Sequence, residues 1–159
     1  MARLHEYQGK AILAANGFKI PRGCSARTAE EAAIVLANIV NENRFTLYEY
    51  FITDKVGHAQ DMAAARTVLQ NLAAMIRGVL NGIDLRQTSV ILTSDHGNIE
   101  DLSTRNHTLN KVPTIVWGAD KELIAKRIKT LADITPAIVE TLTKRAVAPG
   151  NNEPQNHAN

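Results

Sequence analysis

A helical apolar stripe that gives way to a continuous apolar run sets the strongest limit on what this chain can fold into. Val68, Leu69, Leu72, Met75, Ile76, Val79 and Leu80 fall at offsets 0, 1, 4, 7, 8, 11 and 12, one face of a 3.6-residue repeat. The spacing predicts a long helix over 60–81, closed by Asn81-Gly82. Val90-Ile91-Leu92 then predicts a strand, Ser89 to Thr93, covered on both faces as in a parallel sheet. Phe45 to Thr53 is rich in aromatic and branched residues, lacks Gly and Pro, and predicts a strand ahead of the helix. A third strand is expected at Thr114 to Trp117, ended by Gly118. Asp120 reads as the cap of a helix carrying Leu123, Ile124 and Ile128, and Asp133 as the cap of the last helix, with Pro136 tolerated in its first turn. This order predicts an α/β fold, a partial and mostly parallel sheet with right-handed crossover helices.

A small helical segment precedes that core. Residues 5–16 carry a helical pattern and Gly17 supplies a left-handed stop. Phe18 to Cys24, which contains Pro21, suits an edge strand or a connector. Thr28-Ala29-Glu30-Glu31 is a capping box that opens an alanine-rich helix from Ala32 to Val40. Asn41-Glu42-Asn43 marks the expected boundary, giving a segment 1–42, a core domain 43–145 and a polar tail 146–159 expected to be disordered.

Composition narrows the function classes. Of 159 residues, 45% are apolar and 21% charged, which fits a globular chain. Eighteen basic against 16 acidic residues leave +2, with no basic cluster interleaved with aromatics, so nucleic acid is not an expected partner. Cys24 is the single cysteine, which excludes an internal disulfide and a cysteine-rich zinc module. No apolar run reaches membrane-spanning length and the first residues lack a signal-peptide pattern, so the default expectation is a cytoplasmic protein without a membrane partner.

Ionisable residues gather where a parallel sheet would place a site, beyond the carboxyl ends of its strands. The first expected strand runs into Thr53-Asp54-Lys55-Val56-Gly57-His58, and the second into Thr93-Ser94-Asp95-His96-Gly97-Asn98. The loop that follows holds Arg105-Asn106-His107-Thr108. Three of the five histidines and two carboxylates thus fall at one expected edge. Carboxylate plus imidazole is a ligand set for a divalent metal, Zn²⁺ or Mn²⁺. Alone, Asp95-His96-Gly97 could be a turn in which Asp95 caps backbone amides, and His107 a solvated loop residue.

Residues 45–145 resemble the C-terminal half of the metalloenzyme domain of the alkaline phosphatase superfamily, in its branch of cofactor-independent phosphoglycerate mutase and phosphopentomutase. The matching stretches are Asp54-Lys55-Val56-Gly57-His58, Val90 through Glu100, His107 through Thr114, and Leu131-Ala132-Asp133-Ile134-Thr135-Pro136. The resemblance implies one metal site from Asp54, His58 and His107, and part of a second from Asp95 and His96. It also implies phosphate esters as substrates. In the family the second metal takes an early Asp, and a Ser or Thr nucleophile lies early too. Residues 1–44 contain no Asp, and neither Ser25 nor Thr28 sits in a nucleophile motif, so an impaired domain lacking its nucleophile half is expected.

Met1-Ala2-Arg3-Leu4-His5-Glu6-Tyr7-Gln8-Gly9-Lys10, continued by Gly17 through Gly23 and Thr28 through Ala32, resembles the opening of the ATP-grasp subunit of succinate–CoA ligase and ATP-citrate lyase. No nucleotide-binding residue carries over, and the chain reads as two fragments joined near Asn41 to Arg44.

Arg105 is a candidate for binding substrate phosphate, because its guanidinium fork matches phosphate oxygens; a surface arginine is the plainer reading. Glu100 and Asp101 read first as solvated loop acids and second as partners of ligand imidazoles. The leading expectation is a metal-binding phosphomutase or phosphohydrolase domain acting on a phosphorylated small molecule. Its rivals are a non-catalytic interaction fragment and an acyl-CoA ligase fragment. In the first rival, an open sheet edge pairs with a complementing chain or a second copy.

Overall fold

Thr28 shows how directly local chemistry starts an element here. Its Oγ1 accepts the Glu31 amide at 3.1 Å, and Glu31 Oε2 accepts the Arg27 amide at 2.7 Å, so two otherwise unpaired donors are satisfied where helix α2 (Ala29–Glu42) begins. The structure, a computed structural model, describes residues 6–20 and 25–147. The expectations placed on 21–24 and on 148–159 lie outside the described residues. Contacts divide the chain into two units, residues 1–46 with 69–82, and residues 47–68 with 83–159.

The first unit holds α1 (Glu6–Ala15), α2, and the part of α4 (Met62–Gly82) from Leu69 onward. Helix α1 stops as its sequence predicts, with Gly17 at φ 80°, the left-handed conformation that glycine adopts at least cost. Helices α2 and α4 meet through small residues. Gly78 and Gly82, one helical turn apart, lie so close to Ala33 and Ala37 that a methyl on either would stand 2.5 and 2.8 Å from the respective alanine Cβ. Ala33, Ala37, Met75 and Val79 are buried there, and Asn41 Nδ2 donates to the Gly82 carbonyl at 3.1 Å. Of the predicted apolar stripe, Met75 and Val79 are the buried members, while Leu69 is exposed.

The second unit holds α3 (Ile52–Ala59), the first turns of α4, β1 (Ser89–Thr93), β2 (Thr114–Gly118), α5 (Lys121–Arg127), a 3₁₀ turn (Leu131–Asp133) and α6 (Ile134–Val147). The start of α4 is capped by Asp61, whose Oδ1 accepts the Ala64 amide at 3.0 Å. Strands β1 and β2 pair antiparallel, Ser89 against Gly118 and Thr93 against Thr114, in a two-stranded sheet. Arg145 of α6 fastens the far end of this hairpin. Its Nε donates to Asp120 Oδ2 at 2.8 Å and its guanidinium also reaches Ser89 Oγ and the Gln87 carbonyl.

Several expectations are corrected. The sheet is not parallel. A parallel return needs a crossover, usually helical, and residues 94–113 contain no helix, so the chain re-enters beside the end of β1 and runs back. The apolar run Val90-Ile91-Leu92 is half-buried rather than fully covered. Phe45 to Thr53 is not a strand: residues 45–50 have no regular structure and α3 begins at Ile52. A strand needs a ladder for its amides, and among the described residues none pairs with this segment, so its apolar side chains stay exposed, Leu47 at 84%. Asp120 makes no side-chain cap for α5, because its carboxylate is engaged by Arg145 and Ser89. Asp133 caps the 3₁₀ turn reciprocally with Thr130, and α6 follows with Pro136 in its first turn, where a missing amide costs nothing. Among the described residues no helix is long and apolar enough to cross a membrane.

One chemical change should have opposite signs at two helical glycines. Gly9 in α1 has open space around it, so Gly9→Ala gains the helix preference of alanine, about 1 kcal/mol, and raises the melting temperature. Gly78→Ala gains the same preference but drives a methyl against Ala33, at about 1–3 kcal/mol for overpacking, and lowers it. Thermal melts of the two variants check this; a rise for both would contradict the close α2–α4 contact.

Candidate metal centre

Helix α3 places Asp54 and His58 at i and i+4, hence on one face. The loop between β1 and β2 brings the other candidates to that face. Thr93 and Thr114 hold its two roots together through their hydroxyls at 3.0 Å, and an isolated bridge pairs Gly97 with Thr108, the Thr108 amide donating to the Gly97 carbonyl at 2.9 Å. Gln60 ties the loop to the end of α3. It takes the left-handed conformation, φ 57°, which is unusual for a residue with a side chain. From there its Nε2 donates to the Leu102 carbonyl and its Oε1 accepts Arg105 Nε, each at 3.0 Å.

The result is a triangle of ligand atoms. Asp54 Oδ1 lies 3.3 Å from His58 Nε2 and 3.2 Å from His107 Nε2, and the two imidazole nitrogens are 3.2 Å apart. His96 stacks on His107 with ring centroids 3.7 Å apart, and Asp54, His96 and His107 each place a ligand atom within 4.8 Å of the other two. Asp54, His58 and His107 remain between 38% and 49% exposed, so a small ligand can reach them.

The protonation pattern follows from the neighbours. His58 Nδ1 lies 2.5 Å from the Arg105 carbonyl, which can only accept, so Nδ1 carries the proton. In the neutral ring Nε2 is then a bare lone pair aimed at a carboxylate oxygen and at a second imidazole nitrogen. One proton can bridge one edge of this triangle. A divalent cation engages all three atoms at once, and ligands held about 2.0–2.1 Å from a tetrahedral ion stand about 3.3 Å apart, which matches the observed edges. His96 Nδ1 is buried with no hydrogen-bond partner, and its ring brings a third imidazole to the group. The donor set therefore fits a divalent cation.

The loop itself is held by Glu100 and Asn98. Glu100 Oε2 accepts the Asn98 amide at 2.6 Å, and Oε1 accepts the Thr108 hydroxyl and, at 3.1 Å, Asn110 Nδ2. These bonds, led by the Thr108 hydroxyl, pull the Glu100 carboxyl from its ordinary 4.5 down to about 2. Asn98 is 6% exposed and its side chain occupies the space that a Cβ on Gly57 would fill. Both polar atoms of that amide lack a partner, at a cost of about 1–3 kcal/mol each. Gly57 thus makes a notch in α3 into which the loop seats.

Four of the five residues proposed as ligands come together: Asp54, His58, His96 and His107. They do so from a helix and a loop, not from the ends of parallel strands. Asp95 stays at the margin, its side chain 85% exposed and paired with His96 Nε2 at 3.4 Å. Arg105 serves the site through its carbonyl, which orients His58, while its Nε is given to Gln60. The supporting roles of Gln60, Asn98 and Thr108 were not read from the sequence; the glycines at 57 and 97 were the nearest signal, because each sits beside a histidine where a side chain must be absent.

Comparison with known proteins accords with this geometry. Residues 16–145 match a family model described as the metalloenzyme superfamily. Relatives include the 2,3-bisphosphoglycerate-independent phosphoglycerate mutases of Prochlorococcus marinus, 29% identical over 131 residues (72% of this chain, 24% of the relative), and Ehrlichia canis, 28% identical over 124 residues (72% and 25%). That of Mycoplasma genitalium is 31% identical over 109 residues (65% and 21%). The chain spans about a quarter of the length of the curated relatives it matches. No solved structure matches it. The family match begins at residue 16, inside the segment likened above to ATP-grasp subunits, and that second resemblance gains no support.

The hydrogen bonds to Glu100 favour its ionised form. Because its folded value is depressed, the stability it contributes is present above its ordinary 4.5 and is lost as pH falls through about 2. Carbon NMR of the Glu100 carboxyl should therefore still report a carboxylate at about pH 4, where an ordinary glutamate is mostly protonated. A midpoint near 4.5 would show that the loop is not held by these bonds.

Proposed function

This chain belongs to the metalloenzyme superfamily, and from that premise we propose that it carries the cation-holding part of a phosphomutase-type phosphoryl-transfer centre. The observation that supports the reading best is the convergence of Asp54 Oδ1, His58 Nε2 and His107 Nε2 at 3.2–3.3 Å. Asp54, His58 and His107 would hold one divalent ion, zinc or manganese, and His96 with Asp95 would contribute to a second. Such an ion, when bound, supplies charge neutralisation for a phosphoryl group, the main demand of phosphoryl transfer.

The chain's own residues do the rest. His58 is held at Nδ1 by the Arg105 carbonyl, which turns its Nε2 toward Asp54 and His107 as the ligating nitrogen. Arg105 is steadied at Nε by Gln60 beside this group, and its guanidinium fork suits the phosphate of a phosphorylated small molecule, of the phosphoglycerate class by analogy with the relatives. No residue of the group is assigned as nucleophile. The activity expected of this chain is therefore slow, metal-dependent hydrolysis of phosphate esters.

A second reading, pairing with a complementing chain or a second copy, draws on the two-stranded sheet, whose outer edges have no partner strand among the described residues, and on exposed Leu47 and Phe51. Light scattering behind size-exclusion chromatography separates the two. A metal-loaded monomer goes against it, and a concentration-dependent dimer supports it.

Elemental analysis and calorimetry on chelator-stripped protein test the leading reading. Wild type should take up zinc or manganese. His58→Ala should bind more than about 100-fold more weakly, since loss of an outer partner alone costs about 10–100-fold. Hydrolysis of an aryl phosphate should need added metal and fall with the same variant. Absence of metal uptake, or equal affinity and rate in His58→Ala, would refute the proposal.

A further inference from the structure

We propose that Glu100 is a positioning residue of this centre: its carboxylate clips together the two arms of the β1–β2 loop and so sets where His96 and His107 stand. The inference rests on the metal-centre reading above and adds a residue that touches neither ligand atom.

Glu100 bonds across the loop, not only within its own turn. Oε2 takes the Asn98 amide, two residues beyond His96, while Oε1 takes the hydroxyl of Thr108, the residue after His107, and Asn110 Nδ2. The two arms are otherwise joined by the Gly97–Thr108 bridge and the ring stack of His96 on His107. Gly97 leaves room for the clip, because a Cβ there would lie 2.5 Å from Glu100 Oε1 and would also strike Thr108 Oγ1. Asn98 carries the restraint onward to the notch at Gly57, in the helix that bears Asp54 and His58. One carboxylate thus links both histidine arms to each other and to the helix that carries the remaining ligands. Its depressed pKa agrees with a carboxylate that is held by donors in the folded chain.

The full chain, stripped of metal and titrated with Co²⁺, gives two readouts, the dissociation constant and the position and intensity of the cobalt d–d absorption. Glu100→Ala should weaken binding by about 10–100-fold and shift the absorption, as loss of an outer support does. Glu100→Gln should fall between, since its amide oxygen replaces one acceptor and not both. Thr108→Val keeps the negative charge and removes one bond of the clip, so it separates positioning from simple attraction of the cation. It should weaken binding several-fold and shift the absorption in the same direction. Glu122→Gln, an equal charge change on α5, should leave both readouts unchanged. If Glu100→Ala does not fold, Thr108→Val decides alone. Wild-type affinity and spectrum in Thr108→Val overturn the clip while the metal centre stands. Failure of wild type to bind Co²⁺ removes the centre, and the clip with it.

Discussion

Three atoms able to ligate a metal, Asp54 Oδ1, His58 Nε2 and His107 Nε2, stand within 3.3 Å of one another. The proton of His58 is committed to the Arg105 carbonyl on the far side of its ring, so a proton on His107 Nε2 can bridge one edge of this triangle at a time. A shared cation would engage all three atoms at once. The local architecture of the second unit reads as the set of restraints that keeps these atoms together: an i, i+4 pair on α3, a loop rooted on an antiparallel hairpin, and a left-handed Gln60 that ties one to the other. Membership in the metalloenzyme superfamily is the independent finding that points to the same chemistry.

The restraints are mostly polar and local, and that suits a loop. A long connection between two strands buries little apolar surface, so its shape must come from hydrogen bonds and from glycines that let elements approach. Glu100, Thr108, Asn110 and Ser94 supply the bonds, while Gly57 and Gly97 supply the space. The first unit solves a different problem, helix against helix, and uses alanine opposite glycine to bring α2 and α4 close.

Much of the site was legible in the sequence, for reasons that the structure clarifies. An Asp and a His four positions apart coincide on a helix face whatever precedes them, so Asp54 and His58 stand together although the expected strand before them is absent. His96 and His107 stand out in the sequence because both lie in the polar stretch that follows a clear strand. Asp95 groups with them by adjacency, but its side chain stays largely in solvent and reaches His96 Nε2 from the margin. Helices came through well, because periodicity and caps such as Thr28 and Asp61 are local signals. Strand pairing did not. An apolar run says that a segment wants a sheet; it does not say which way its neighbour runs, and Phe45 to Tyr50 has strand-like composition with no ladder to join among the described residues. The clip at Glu100 joins residues eight and ten positions away, beyond the reach of any local pattern.

X-ray absorption at the metal edge of the zinc- or manganese-loaded chain tests the convergence most directly. The expected result is a first shell of nitrogen and oxygen at about 2.0–2.2 Å with the outer-shell scattering of at least two imidazole rings, reduced by one ring in His107→Ala. A first shell of oxygen alone, unchanged in that variant, would contradict it.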